Sequence, residues 1–158
     1  MKLLKPLLLA LLAATSLGAS AKYNGEDRGR PVLPAHVDAK WQAECSSCHL
    51  AYPPGLLPAA SWKKVMSGLN QHFGTDASLS SQDTQEISAF LENNASNRWS
   101  ANSAPLRITD SQWFKSKHRE VGAAIWQRAA IKSPGNCSAC HSGAGKGDFD
   151  EDRVHIPK

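Results

Sequence analysis

Cys45-Ser46-Ser47-Cys48-His49 and Cys137-Ser138-Ala139-Cys140-His141 are two copies of one pattern, C-x-x-C-H. Together they use all four cysteines of the 158-residue chain. The pattern is the attachment signature of c-type haem. Two thiols three positions apart add across the two vinyl groups of one macrocycle. The histidine that follows lies under the iron, where its imidazole serves as an axial ligand. Cys45 and Cys48 are thus expected to bind one haem and Cys137 and Cys140 a second, with His49 and His141 as proximal ligands. A four-cysteine zinc site is the rival reading. The immediate histidines, an export signal and a thin apolar core count against it.

Working outward, the N-terminus reads as that export signal. Lys2 and Lys5 form a positive start, Leu7 to Leu12 an apolar run, and Ala19-Ser20-Ala21 a cleavage site, so residues 1–21 are a signal peptide and the mature chain begins at Lys22. The apolar run is short for a membrane span. Export implies a periplasmic, oxidising compartment, where cytochromes c receive their haem.

Removing that segment leaves enough chain for one domain or two very small lobes. The expected division is a first haem lobe at 22–95, a linker at 96–106 and a second lobe at 107–158, with one compact domain over 22–158 as the alternative. Of the 18 basic residues, Lys2 and Lys5 go with the signal, and the remainder nearly balance the 14 acidic ones. Haem propionates would make the holoprotein mildly acidic. No basic run points to nucleic acid. Leu, Ile, Val and Phe make up only roughly a sixth of the mature chain, a fraction at which chains struggle to fold unaided. Two porphyrins acting as core would close that gap.

No segment alternates with period two, so the fold class is all-α, with short helices and loops packed around two covalent haems. A helix is expected over Val37 to Cys48, carrying Trp41. Pro53-Pro54-Gly55 and Pro58 mark a loop over or beside the first haem. Ser61 is the expected N-cap of a helix to about Phe73, stopped by Gly74. A helix from Gln82 to Asn93, capped by Ser80 or Ser81, presents Ile87, Phe90 and Leu91. Thr109 and Gln112 have capping-box spacing for a helix carrying Trp113, Phe114 and His118. Gly122 is a candidate interruption of that helix, which resumes through Ile125, Trp126 and Ala129. Asn136 is expected to cap the turn bearing the second motif.

Each iron has a further axial position. His72 follows His49 at the same interval by which His118 precedes His141. Each is on a helix beside large apolar residues, which makes His72 and His118 the expected sixth ligands. His36 and Met66 are the alternatives at the first haem, and pairing across the lobes, with His118 on the first iron, is open from spacing. His36 and His155 read as surface histidines. Asp148 to Asp152 resembles a loose calcium loop without the full pattern and reads as a solvated acidic turn.

Glu44 to Pro58, with its Tyr52-Pro53-Pro54-Gly55-Leu56-Leu57-Pro58 segment, resembles the first haem segment of the small bacterial dihaem cytochrome c family, DHC. Ser61-Trp62 through His72-Phe73-Gly74 and Arg107-Ile108-Thr109 through His118-Arg119-Glu120 resemble its middle. Asn136 to His141 and Gly147 to Asp152 resemble its end. The resemblance implies a periplasmic electron-transfer protein with two low-spin, bis-His haems. It also implies redox partners, an oxygen-binding high-spin cytochrome c and a membrane cytochrome b. The expectation is a monomer, without stable membrane insertion and not an enzyme. Two alternatives stand beside it. One is a haem enzyme or gas-binding cytochrome, such as a small peroxidase, with one open iron. The other is the dihaem electron-transfer subunit of a periplasmic nitrate reductase.

Overall fold

A computed structural model describes residues 31–98 and 104–158. The expected signal peptide, most of the N-terminal arm and the middle of the expected linker lie outside them. The described residues form five short α-helices joined by loops and 3-10 turns, with no strand. One isolated bridge joins His72 and Thr75. The fold is all-α, as the sequence pattern requires. No helix among the described residues is long and apolar enough to cross a membrane.

Helix α1 spans Ala39–Cys45. Asp38 opens it, its Oδ1 accepting the Trp41 amide at 2.7 Å, which satisfies one of the orphan donors of a helix start. The helix is shorter than the sequence suggests and ends as the first C-x-x-C-H begins. Trp41 is buried, its ring 5.3 Å from that of Phe90. Lys40 on the outer side pairs with Asp83 and Glu86, both at 2.6 Å. Exposed pairs of this kind stabilise little.

Between α1 and α2 the proline segment is buried as a 3-10 turn at Pro54–Leu56. Its Gly55 amide donates to Val32 O at 2.8 Å. A Cβ on Gly55 would sit 2.6 Å from Val32 Cα and 2.9 Å from Val32 O. Backbone cannot yield as a side chain can, so Gly55→Ala is expected to cost about 1–3 kcal/mol. A thermal melt checks this: an unchanged midpoint would mean the 31–33 segment is not docked there.

Helix α2 spans Ala59–Ser67. Ser61 is not its cap. The helix starts two residues earlier, with Pro58 O accepting from the Ser61 and Trp62 amides at 2.9 and 3.2 Å. Pro58 holds φ at −71°, and the Ala59-Ala60 pair has the highest helix propensity available. Ser61 is therefore inside the helix, fully buried. Trp62 Nε1 donates to Pro54 O at 2.7 Å and ties α2 to the proline segment. The helix also stops early. Gly68 breaks it, and the chain continues as a 3-10 turn at Leu69–Gln71. Gly74 does not end a helix; it follows Phe73 in a reversal where both have positive φ, +51° and +99°.

Helix α3 spans Ser81–Asn93, with Ser80 Oγ accepting the Asp83 amide at 3.0 Å. Ile87 and Leu91 are buried against Trp41, Leu57, Trp62 and Met66. Helix α4 spans Gln112–Lys117. Its cap is Ser111, not Thr109: the buried Ser111 Oγ accepts the Phe114 amide at 3.1 Å. Thr109 belongs instead to a preceding 3-10 turn at Ile108–Asp110. Helix α5, Ala123–Trp126, starts after Gly122 and ends before Ala129. Asn136 is at the N-cap position of the 3-10 turn at Cys137–Ala139, as expected, but its side chain makes no capping bond. Its Nδ2 donates back to Ile131 O at 3.0 Å, bracing the Ser133-Pro134-Gly135 turn.

Candidate functional site

A cavity of about 600 Å³ opens beside the first C-x-x-C-H motif. It falls within the roughly 300–1,000 Å³ typical of ligand and cofactor sites. One wall is the apolar core itself, through Trp41, Leu57, Trp62, Val65, Met66, Leu69 and Leu91. Cys45, Cys48, His49 and His72 face the same space. So do Leu106, Arg107, Phe114, Gly135 and Cys137 from the second half of the chain.

His72 lies beside His49, with ring centroids 6.1 Å apart and planes inclined by 23°. His118 lies beside His141 at 6.2 Å and 78°. A metal–imidazole bond is about 2 Å long, and a ring nitrogen is about 1.1 Å from its ring centre, so two imidazoles on opposite sides of one ion have centroids roughly 6 Å apart. Both pairs have that separation. Among the described residues no group of three or more His, Cys, Asp or Glu side chains could hold a metal by itself. Two axial imidazoles with the remaining ligands from a macrocycle is a donor set these pairs fit.

Local interactions aim the rings. His49 Nδ1 is 2.7 Å from Leu50 O, and His118 Nδ1 is 2.9 Å from Phe114 O. A proton held at Nδ1 by a carbonyl leaves Nε2 as the free donor. His118 stacks on Phe114 at 4.0 Å and 21°, with Trp126 at 5.8 Å. Phe149 packs on His141 at 5.4 Å, and Tyr52 on His49 at 5.0 Å. Burial lowers the pKa of His72, and the neighbouring His49 and Arg107 lower it further. Burial likewise lowers that of His141, with His118 adding and Asp148 opposing. Neutral imidazole is the ligating form. Burial pushes the Cys45 and Cys137 thiols up to about 11.

The other candidates are elsewhere. His36 and His155 are exposed, and neither faces the cavity. Met66 faces it from within the core. The acidic tail is closed by Arg153, which pairs with Asp148 at 2.8 Å and Asp150 at 3.1 Å, so its carboxylates already have a cation.

The dihaem cytochrome c (DHC) family model matches residues 41–149, a span that takes in both motifs and both histidine pairs. The chain belongs to the dihaem cytochrome c family. Two covalently bound c-type haems follow for this cytochrome. Solved structures agree. A diheme cytochrome c from Rhodobacter sphaeroides is 41% identical, with a TM-score of 0.66, covering 72% of this chain and 97% of that one. The diheme cytochrome c of Shewanella baltica OS155 is also 41% identical, with a TM-score of 0.68, covering 75% and 92%. A second structure of DHC from Rhodobacter sphaeroides is 44% identical, with a TM-score of 0.63, covering 72% and 98%. No curated protein sequence matches the chain.

Three residues around these sites have roles that the sequence reading does not assign. Tyr52 donates its hydroxyl to Gly135 O at 2.7 Å and so ties the first haem segment to the second. Trp126 packs on His118 from the next helix, and Arg107 comes from beyond α3 to stack on Phe73 beside His72. Their aromatic or cationic character is visible in the sequence, but their partners are not.

Proposed function

We propose that this dihaem cytochrome transfers electrons between redox proteins of the periplasm and performs no chemistry on a small substrate. Cys45 and Cys48 hold one haem, and Cys137 and Cys140 the other. His49 with His72, and His118 with His141, are the axial pairs. The observation that carries the reading is the separation of the two pairs, 6.1 and 6.2 Å, which matches that of two imidazoles on opposite sides of one iron. Bound haem iron supplies a one-electron ferric/ferrous couple.

The side chains do the rest. Leu50 O and Phe114 O fix the tautomers of His49 and His118, so the ligand set need not change between oxidation states. Aromatic rings pack on His49, His72, His118 and His141, which limits ring rotation. A rigid ligand set keeps reorganisation small, which is what an electron carrier needs. Tyr52 and the shared cavity wall keep the two attachment segments close, so electrons can pass between them.

The ring angles give a test. Near-parallel imidazoles, as at 23°, split the iron d-orbital pair that they overlap; near-perpendicular ones, as at 78°, leave it almost degenerate. EPR of the oxidised protein should therefore show two low-spin signals, one rhombic and one strongly anisotropic. The reduced protein should leave its absorption spectrum unchanged under CO. A high-spin signal, or a CO-bound spectrum, would assign an open iron and favour a gas-binding or peroxidase-like role.

A further inference from the structure

We propose that Arg107 is a positioning residue for the first haem: it latches the loop that presents His72 and holds a fixed positive charge at that site. The latch rests on the reading of His72 as a ligand; the charge does not.

The latch is a short relay. Arg107 Cζ lies 4.0 Å above the centre of the Phe73 ring, a cation–π contact. Phe73 in turn meets His72 edge-on at 4.9 Å. Phe73 has φ of +51°, a conformation that a bulky side chain adopts only when its surroundings hold it there. Its ring is not held by burial, being 47% exposed. The Arg107 stack is the contact that pins it, and it comes from beyond α3, from the other half of the chain. Backbone bonds close the turn, with the Thr75 amide on His72 O at 3.1 Å and the Ala77 amide on Leu69 O at 2.9 Å; without the stack, the Phe73 ring is free to leave the edge of His72.

The charge follows from the same placement. Among the described residues lining the cavity, Arg107 is the only Lys or Arg, and Glu44 and Asp76 are the carboxylates. Reduction adds one electron, so a nearby cation favours the ferrous state. Removing it must lower the potential. Arg107 is exposed, and solvent screening keeps the effect modest.

The test uses the holoprotein and four variants, with the two haems told apart by their EPR signals. Arg107→Leu is expected to shift the first haem's reduction equilibrium about three- to tenfold toward the oxidised state, tenfold being about 59 mV for one electron. It is also expected to make the reduced first haem bind CO, at a rate at least tenfold above wild type. The second haem should keep its potential. Arg107→Lys keeps the charge but not the planar stack, so it should restore the potential and not the CO resistance. Phe73→Leu should admit CO and leave the potential near wild type. An Arg107→Leu protein identical to wild type in both readouts overturns the proposal, as does an equal shift at both haems. His72→Ala separates the two readings. If it leaves the first haem low-spin, the ligand assignment fails and the latch with it, while a potential shift in Arg107→Leu still establishes the charge. If His72→Ala opens the iron and Arg107→Leu changes nothing, only the Arg107 proposal fails.

Discussion

Replacing His118 by Ala is expected to convert one haem from low-spin to high-spin and to let it bind CO, with the other haem untouched. The substitution removes the imidazole 6.2 Å from His141. Its neighbours Phe114 and Trp126 are apolar at the faces they present. The space left is thus apolar and of imidazole size, suited to CO and poorly suited to an ordered water. The potential of that haem should rise on the order of 0.1 V, a fraction of the roughly 0.8 V that axial ligands and their surroundings span. Stability should fall by about 1–3 kcal/mol, since the ring also stacks on Phe114 at 4.0 Å. His36→Ala and His155→Ala are the controls. Both side chains are exposed and should leave the spectra as they are. A low-spin His118→Ala protein would show that another group ligates the second iron.

How much of the molecule is legible in the sequence depends on range. The two C-x-x-C-H motifs are local and name the cofactor outright. Ser80, one of the two serines the sequence offers as a cap, does cap α3 by accepting the Asp83 amide. Other local signals are outcompeted by neighbours. Ser61 has the right chemistry for a cap, but Pro58 already supplies a fixed φ and a free carbonyl, and the helix starts there. Gly74 has the form of a helix stop, but Gly68 precedes it and is enough. Thr109 loses the capping role to Ser111, whose hydroxyl reaches the Phe114 amide. What no local pattern can reveal are contacts set by the path of the chain. Tyr52 and Gly135 are 83 residues apart, and nothing in either segment names the other. Arg107 over Phe73 is the same kind of contact, made by a loop returning from beyond α3.

Preventing attachment of the first haem, by Cys45→Ala with Cys48→Ala, is expected to abolish the native fold of the first half rather than empty a site. The cavity and the core are one structure: Trp41, Leu57, Trp62, Met66 and Leu91 are buried core residues and also cavity wall. At ~24 cal/mol per Å³, a void of about 600 Å³ would cost on the order of 14 kcal/mol. The whole stability of a domain this size is about 5–15 kcal/mol. The cavity opens to solvent on one side, so only part of that cost is realised, but a third of it is already decisive. The helices cannot compensate, since the longest among the described residues is the 13-residue α3 and isolated helices of that length are marginal in water. The double variant should therefore lose much of its far-UV helical signal, melt without a sharp transition, and be cleaved by protease within 39–93. Should it instead keep wild-type helicity and a cooperative melt, the side chains alone would be building the core, and the haem would be a guest in it. The low aliphatic content of the chain argues for the first outcome: the Leu, Ile, Val and Phe residues after position 21 are too few to close this wall on themselves.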